Sequence, residues 1–475
     1  MWYDSPMQKT FREKYFGDRD FYQTVITIVL PLLIQQVVTS FVNMLDNIMV
    51  GRIGTLAMSG VSIANQLTAI FNLTVFGSIA GASIFGAQFY GKGDSNGQRN
   101  CLRFKLVIEM IVCTVIILLF LTHGEQLISI FLHSGTDTAA DVQATLGYGT
   151  SYLRILCIGF IPFALSQSIS SAIRETGETR LPMIASLAAI FTNLIGNTLL
   201  IFGYLGFPAL GSDGAAIATV ISRFAELAVL LFFVMKYKER FPFFHHLLSR
   251  FHIPASLAKD IIRRGFPLTL NEFLFSVGIA ALAQCYSTRG IAAVAAYNIS
   301  NTIESLFFVF NIAMGDCISI MVGQQLGSGK TDQAVDTDRK LITVTFLISM
   351  LLGIVLFLLA PVFPHIYNTS DEIRAMASSL LRICGLTLWI SALYNASYFT
   401  LRCGGKTIIT FLFDSVGMIA VSFPAAYVLS RFTSLDIIQI FLIIHLVDLY
   451  KVALGLFLVH KGVWINNLVD SHVNE

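Results

Sequence analysis

Between Arg52 and Lys92 the chain runs from Ile53 to Gly91 without one Asp, Glu, Lys or Arg. A helix crossing the ~30 Å hydrocarbon core of a bilayer needs about 20 apolar residues, so an uncharged run this long is built for lipid. Phe21 to Leu45, Leu181 to Ser212 and Leu341 to Ser370 are equally free of charge. Over 475 residues, 55% are hydrophobic and 13% charged, which excludes a soluble globular fold and gives no basic surface for nucleic acid.

Counting apolar segments between charged or Gly/Pro-rich turns predicts an all-α integral membrane protein with twelve transmembrane helices. They fall near 23–49, 56–88, 104–122, 146–172, 182–203 and 214–236, then 266–288, 292–325, 341–362, 376–400, 407–430 and 436–459. The expected organisation is a cytoplasmic tail (1–22), an N-terminal lobe of helices 1 to 6 (23–236), a basic linker (237–265), a C-terminal lobe of helices 7 to 12 (266–460) and a second tail (461–475). The first twenty residues are polar and mixed in charge, without a short apolar region before a cleavage site, so helix 1 is expected to be retained. The seven cysteines are scattered without CxxC spacing and read as packing thiols.

Basic residues flanking a helix resist translocation. With a cytoplasmic N-terminus, Lys9, Arg12, Lys14, Arg19, Lys92, Arg99, Arg103, Lys105, Arg174, Arg180, Lys330, Arg339, Lys340, Arg402, Lys406, Lys461 and the cluster from Lys236 to Arg264 all lie inside. Only Arg52, Arg289, Arg374 and Arg431 lie outside. Both termini are therefore expected in the cytoplasm. The linker, with FPFF and two adjacent histidines, reads as a segment against the anionic inner leaflet or as a solvated connector.

The chain also repeats itself. Sliding it by the offset between Pro31 and Pro267 aligns Gly54 with Gly290, Asn65 with Asn301, Phe71 with Phe307, Gln88 with Gln324, Gly91 with Gly327 and Gly93 with Gly329. A slightly shorter shift aligns Arg174, Gly177 and Thr179 with Arg402, Gly405 and Thr407. Pro and Gly mark kinks and turns that a duplicated backbone keeps. Because six helices separate equivalent points, the two six-helix lobes are expected to be related by a pseudo-two-fold axis along the membrane normal.

The runs LDNIMVGRIGTLAMSGVSIANQ (45–66), GAQFYGKGD (86–94), IRETGETRLPM (173–183), GAAIATVISR (214–223) and VGQQLGSGK (322–330) carry a family resemblance over nearly the whole chain. The sequence resembles the multidrug and toxic compound extrusion (MATE) transporters. The resemblance implies a cation-driven antiporter of the cell membrane, a bacterial inner membrane, in which two lobes rock about a central cavity. It further implies export of cationic or amphipathic organic compounds in exchange for H⁺ or Na⁺, by a monomer with no cofactor beyond the coupling ion.

An ionised carboxylate at membrane depth is costly unless it meets water, a partner or a cation, so intramembrane acids are functional candidates. Gln36, Thr39, Asn43 and Asp46 recur at helical spacing and place a polar stripe on one face of helix 1. Asp46 has Leu282 as its repeat counterpart, so its carboxylate belongs to the first lobe alone; the alternative is a helix-end aspartate reaching outer water. In the family, the matching aspartate couples the ion, which makes Asp46 the candidate site for H⁺ or Na⁺. Asn193 and Asn197 stack four residues apart on helix 5, either ligating the cation with Asp46 or bonding neighbouring helices. The family's archaeal branch has an aspartate where this chain has Asn197, so a proton shared between two acids is not expected.

In the second lobe, Glu272, Glu304 and Asp316 replace Gln36, Thr68 and Ala80 of the first. These acids, with Asn301 and Asn65, are expected to line the substrate cavity. The sodium-coupled bacterial branch has a helix 7 glutamate about one turn from Glu272 and a helix 10 aspartate where this chain offers only Ser391 and Asn395. Glu226 with Arg223, Asp448 with Lys451 and Glu109 with Lys105 read as internal ion pairs, Asp414 as a weaker cavity candidate and His445 as a lone packing or interfacial residue. Phe307, Phe308 and Phe310 could stack on flat cations but are expected to pack. A flippase for lipid-linked saccharides is the rival reading; such proteins carry basic cavities. GxSxG and HExxH are absent, which leaves no nucleophile or metal motif for an enzyme.

Overall fold

The computed structural model describes residues 10–132, 139–249 and 251–472. The protein is 85% helical, and among the described residues no strand interrupts the helices. Among the described residues, twelve helices are long and apolar enough to cross a membrane. We number them α1 (Arg19–Gly51), α2 (Thr55–Lys92), α3 (Ser95–Ser129), α4 (Ala139–Arg174), α5 (Arg180–Phe202), α6 (Gly211–Lys236), α7 (Ala255–Ser287), α8 (Ile291–Gly327), α9 (Thr331–Leu359), α10 (Asp371–Cys403), α11 (Thr407–Phe432) and α12 (Ile437–His460). A short helix, Phe11–Tyr15, precedes them, opened by a capping box between Thr10 and Glu13.

Several helices start well before their apolar runs. α3 begins at Ser95 because the Asp94 carboxylate accepts from the backbone N–H groups of Asn96 and Gly97, so its charged first turns are helical as well. α10 is capped in the same way by Ser370 on the Ile373 N–H, and the second half of the last hairpin by an Asp436–Gln439 capping box. Hydropathy finds what lies in lipid, whereas caps decide where the helix begins. α11 departs from regularity through two π turns, Leu412–Val416 and Met418–Ser422. Pro424 follows them, and a proline inside a helix lacks the N–H and crowds the preceding turn.

Packing divides the chain into two compact units, 1–33 with 87–93 and 270–471, and 34–86 with 94–269 and 472–475. These boundaries are not those expected at 236 and 266. The breaks after Leu33 and Thr269 fall at equivalent repeat positions, just beyond Pro31 and Pro267, so each lobe's first helix begins in one unit and ends in the other. In the first unit, Val25, Ile28, Val29 and Leu32 of α1 share a core with Phe310, Met314 and Cys317 of α8. In the second, Leu67, Phe71 and Val75 of α2 pack on Leu153, Phe160 and Phe163 of α4.

The repeat is visible in backbone detail. Gly93 and Gly329 both adopt left-handed φ, 79° and 74°, where a Cβ would be strained. Within the first unit, a Cβ on Gly91 would collide with the backbone of Gln324, and one on Gly327 with the backbone of Gln88. Lipid supplies no hydrophobic drive between helices, so such close backbone approach is what packs them. Gln88 is fully buried and donates to the carbonyls of Cys403 (3.1 Å) and Asn466 (3.3 Å) while accepting from the Leu468 N–H (2.7 Å).

The segment after α12 packs into that network, with Trp464, Leu468 and Val469 buried. The basic linker is likewise pinned rather than free. Phe241 and Phe243 enter a core with Leu102, Ile173 and Leu230, and the Arg103 guanidinium donates to the carbonyls of His246, Leu247, Ser249 and His252. A guanidinium has five donors, which suits it to gathering carbonyls from irregular backbone.

Candidate functional site

The second unit encloses a cavity of about 530 Å³ lined by residues of α1, α2, α4, α5 and α6. Asp46 reaches it from α1, together with Thr39 about two turns earlier on the same face. The Asp46 carboxylate accepts from Asn197 Nδ2 at 2.7 Å, and Asn197 Nδ2 also lies 3.2 Å from Asn193 Oδ1. With the Asn193 amide nitrogen placed toward Asp46, it is 3.1 Å from both carboxylate oxygens, and its carbonyl accepts from the Thr219 hydroxyl at 3.1 Å. Asn197 is almost wholly buried, and its Oδ1 has no hydrogen-bond partner. A buried acceptor left bare is costly, and here it lies within a carboxylate and amide cluster.

Asn65 lines the same cavity as Asp46, Asn193 and Asn197. Gln36 does not; it is exposed and stands apart from the lining. The side chain of Asn43 lies outside the described residues.

The cavity has features the sequence did not disclose. Phe71 stacks on Phe160 (centroids 4.0 Å apart, planes 19° from parallel) and lies 5.9 Å from Phe163, giving an aromatic wall. Arg223, read as merely paired with Glu226, lines the cavity, stands over the Phe163 ring at 4.7 Å and meets Glu226 at 3.4 Å. The repeat partner of Phe71, Phe307, packs edge-on against Phe363 instead, and Phe310 is buried in a core. Periodicity could not separate these cases because both sets are Phe on long apolar helices.

The acids of the first unit are distributed differently. Glu272 on α7 is half-buried within electrostatic reach of Arg402 and Asp414. Asp316 is half-buried on α8, while Asn301 is exposed. Glu304 accepts from the Cys384 thiol at 3.2 Å and lies 4.0 Å from His445 Nε2, so His445 is not the lone packing residue its sequence position suggested. Asp414, at the first π turn, accepts from Asn271 at 3.0 Å. Lys451, fully buried, lies 3.5 Å from Asp448 as expected and 3.9 Å from Asp414, which makes it a tethered cation between two acids.

One expected pair is overturned. Lys105 bonds Glu175, just beyond α4, and the Ser171 hydroxyl (3.0 Å), while Glu109 bonds Ser78. Lys105 and Glu109 share a helix, but the fully buried ammonium finds a better desolvated partner across the unit.

A transporter architecture follows from twelve spans, a duplicated six-helix unit and an internal cavity with an intramembrane carboxylate. The sequence model of the MatE family matches residues 31–199 and 267–428, starting at the two repeated prolines. The chain belongs to the MatE family. It is thus a multi-pass membrane transporter and not an enzyme. A probable multidrug resistance protein NorM from Thermotoga maritima is 26% identical over 93% of this chain and 92% of its own length. A probable multidrug resistance protein YoeA from Bacillus subtilis is 26% identical over 88% and 89%. Among solved structures, an outward-facing multidrug resistance MATE transporter of the MOP superfamily superposes with TM-score 0.83 at 18% identity, covering 96% of this chain and 98% of that one. A MATE structure in the straight conformation gives TM-score 0.84 at 19% identity, with coverage of 96% and 98%. At these identities the structures speak to the MatE fold alone.

Proposed function

We propose that this MatE protein is an antiporter of the cell membrane that expels cationic or amphipathic organic compounds in exchange for H⁺ or Na⁺ taken up at Asp46. The observation that carries the reading is the Asp46 carboxylate lining the cavity, held by Asn197 at 2.7 Å and 3.1 Å from the Asn193 amide. With both amide nitrogens turned inward, the carboxylate is hydrogen-bonded without a cation. With the carbonyls inward, Asn193 Oδ1 and Asn197 Oδ1 join Asp46 as oxygen donors of the kind hard cations take, and Asn193 Oδ1 accepts from a protonated Asp46 equally well.

Cation and cargo then compete for the same charge. A cavity of about 530 Å³ suits a drug-sized molecule, and the wall of Phe71, Phe160 and Phe163 offers faces for flat cations. Arg223 is a positive charge in this wall, but Glu226 neutralises it, leaving Asp46 as the unbalanced charge; this favours organic cations over the anionic lipid-linked saccharides of the flippase reading. Exchange of access between the two faces, by rocking of the units, follows if the ion binds one conformation better than the other. The protein works as a monomer among lipids, with both termini in the cytoplasm of a bacterial inner membrane.

The test is dye efflux from proteoliposomes with proton and sodium gradients imposed separately. Efflux driven by one gradient and silent under the other names the ion; efflux indifferent to both removes the antiport.

A further inference from the structure

Away from the cavity, three helices of the first unit bring Glu304 (α8), Cys384 (α10) and His445 (α12) together, with one ligand atom from each lying within 4.8 Å of the other two. We propose that these three side chains form a binding site for a borderline-soft divalent metal ion of the Zn²⁺ type. The argument starts from the histidine. His445 Nδ1 lies 3.0 Å from the carbonyl of Phe441, one turn back, and a carbonyl only accepts, so that nitrogen carries the proton. In the neutral ring Nε2 is then a bare lone pair 4.0 Å from a Glu304 carboxylate oxygen, whereas a second proton on Nε2 makes the same contact an ion pair. In the neutral form two acceptors face each other across a gap too long for a hydrogen bond, an arrangement that a shared cation, metal ion or proton, resolves. The carbonyl at Nδ1 is also the second partner that metal-bound histidines use to fix their orientation.

The distances suit such an ion. Bond lengths of about 2.3 Å to sulfur and about 2.0–2.2 Å to nitrogen and oxygen place tetrahedral ligand atoms about 3.4–3.6 Å apart. Cys384 Sγ to Glu304 Oε2 is 3.2 Å and His445 Nε2 to Glu304 Oε1 is 4.0 Å, so small side-chain rotations close the shell. The thiol already points its proton at the carboxylate. Coordination as thiolate breaks the S–H bond and releases that proton to solvent, with no redox change.

The chemistry of the set selects the ion. Thiolate and imidazole favour Zn²⁺-like metals, whereas Mg²⁺ and Na⁺ want oxygen shells. Three protein ligands leave a fourth position open, the pattern of exchangeable rather than structural sites. Cys384 is buried, while the Glu304 and His445 side chains keep 22% and 19% exposure. An ion here ties α8, α10 and α12 together and sets how freely that unit rearranges.

The experiment is titration of the full-length, chelator-stripped protein in detergent with Co²⁺, whose bond to thiolate gives a near-ultraviolet charge-transfer band. The expected result is a band saturating at one equivalent, displaced by Zn²⁺ and not by Mg²⁺. Cys384→Ser should abolish the band, and Glu304→Gln and His445→Gln should each weaken binding by at least about tenfold, with Asp46→Asn binding Co²⁺ as wild type does. Absence of the band in the wild-type protein, which needs no variant to fold, overturns the site. So does a band that survives Cys384→Ser and therefore comes from another of the seven cysteines, or one lost in Asp46→Asn.

Discussion

Asn197 donates from Nδ2 to Oδ1 of Asp46 across 2.7 Å, joining α5 to α1 through a carboxylate whose repeat counterpart is the apolar Leu282. The bond is charge-assisted when Asp46 is ionised, and such bonds contribute about 1.5–3 kcal/mol. Asn197→Ala should therefore slow ion-coupled efflux by about 10- to 100-fold, measured as initial dye efflux in proteoliposomes. Wild-type rates in that variant would show that the amide does not serve the carboxylate.

Asp46→Asn keeps the shape and hydrogen-bonding capacity of the side chain but removes the charge for which ion and cargo compete. Drug resistance conferred on a sensitive host should fall to background while the amount of protein in the membrane stays unchanged. Resistance that persists would take Asp46 out of the transport cycle.

Lys105 and Glu175 form a desolvated ion pair. Removing one partner strands the other in a dry site, at a cost of about 3–5 kcal/mol. Lys105→Met should lower the melting temperature in detergent by several degrees, and Lys105→Met combined with Glu175→Gln should recover most of it. The same logic applies to Lys451→Met, which leaves Asp414 and Asp448 facing each other without the ammonium between them.

Gly91→Ala and Gly327→Ala test the repeat. Each added Cβ meets backbone, of Gln324 and Gln88 respectively, which cannot swing aside as a side chain can. Overpacking of this kind costs about 1–3 kcal/mol, and the symmetry of the contact predicts losses of similar size in the two variants. A thermal melt showing one harmless and the other severe would mean that the repeated turns are not equivalent in packing.

The twelve spans were legible because lipid imposes a length and a composition on every helix that crosses it, and the duplication because proline and glycine record backbone geometry that both copies retain. Asp46, Asn193 and Asn197 were legible for a related reason: polar residues at helical spacing on an apolar helix have to face something polar, and spacing within a helix is a local property. What faces what across helices is not local. Gln36 continues the polar stripe yet points away from the cavity, and Lys105 pairs with Glu175 rather than with Glu109 one turn along its own helix. His445 meets Glu304 and Cys384 from two other spans, and the halves of α1 and α7 belong to different units. Each of these depends on helix rotation and crossing, set by close backbone packing over distances that no sequence period encodes. Local chemistry therefore settled which residues lie in the bilayer and which of them are costly there, and tertiary packing alone settled which costly groups meet, because burial leaves a charge no partner except those that other helices bring to it.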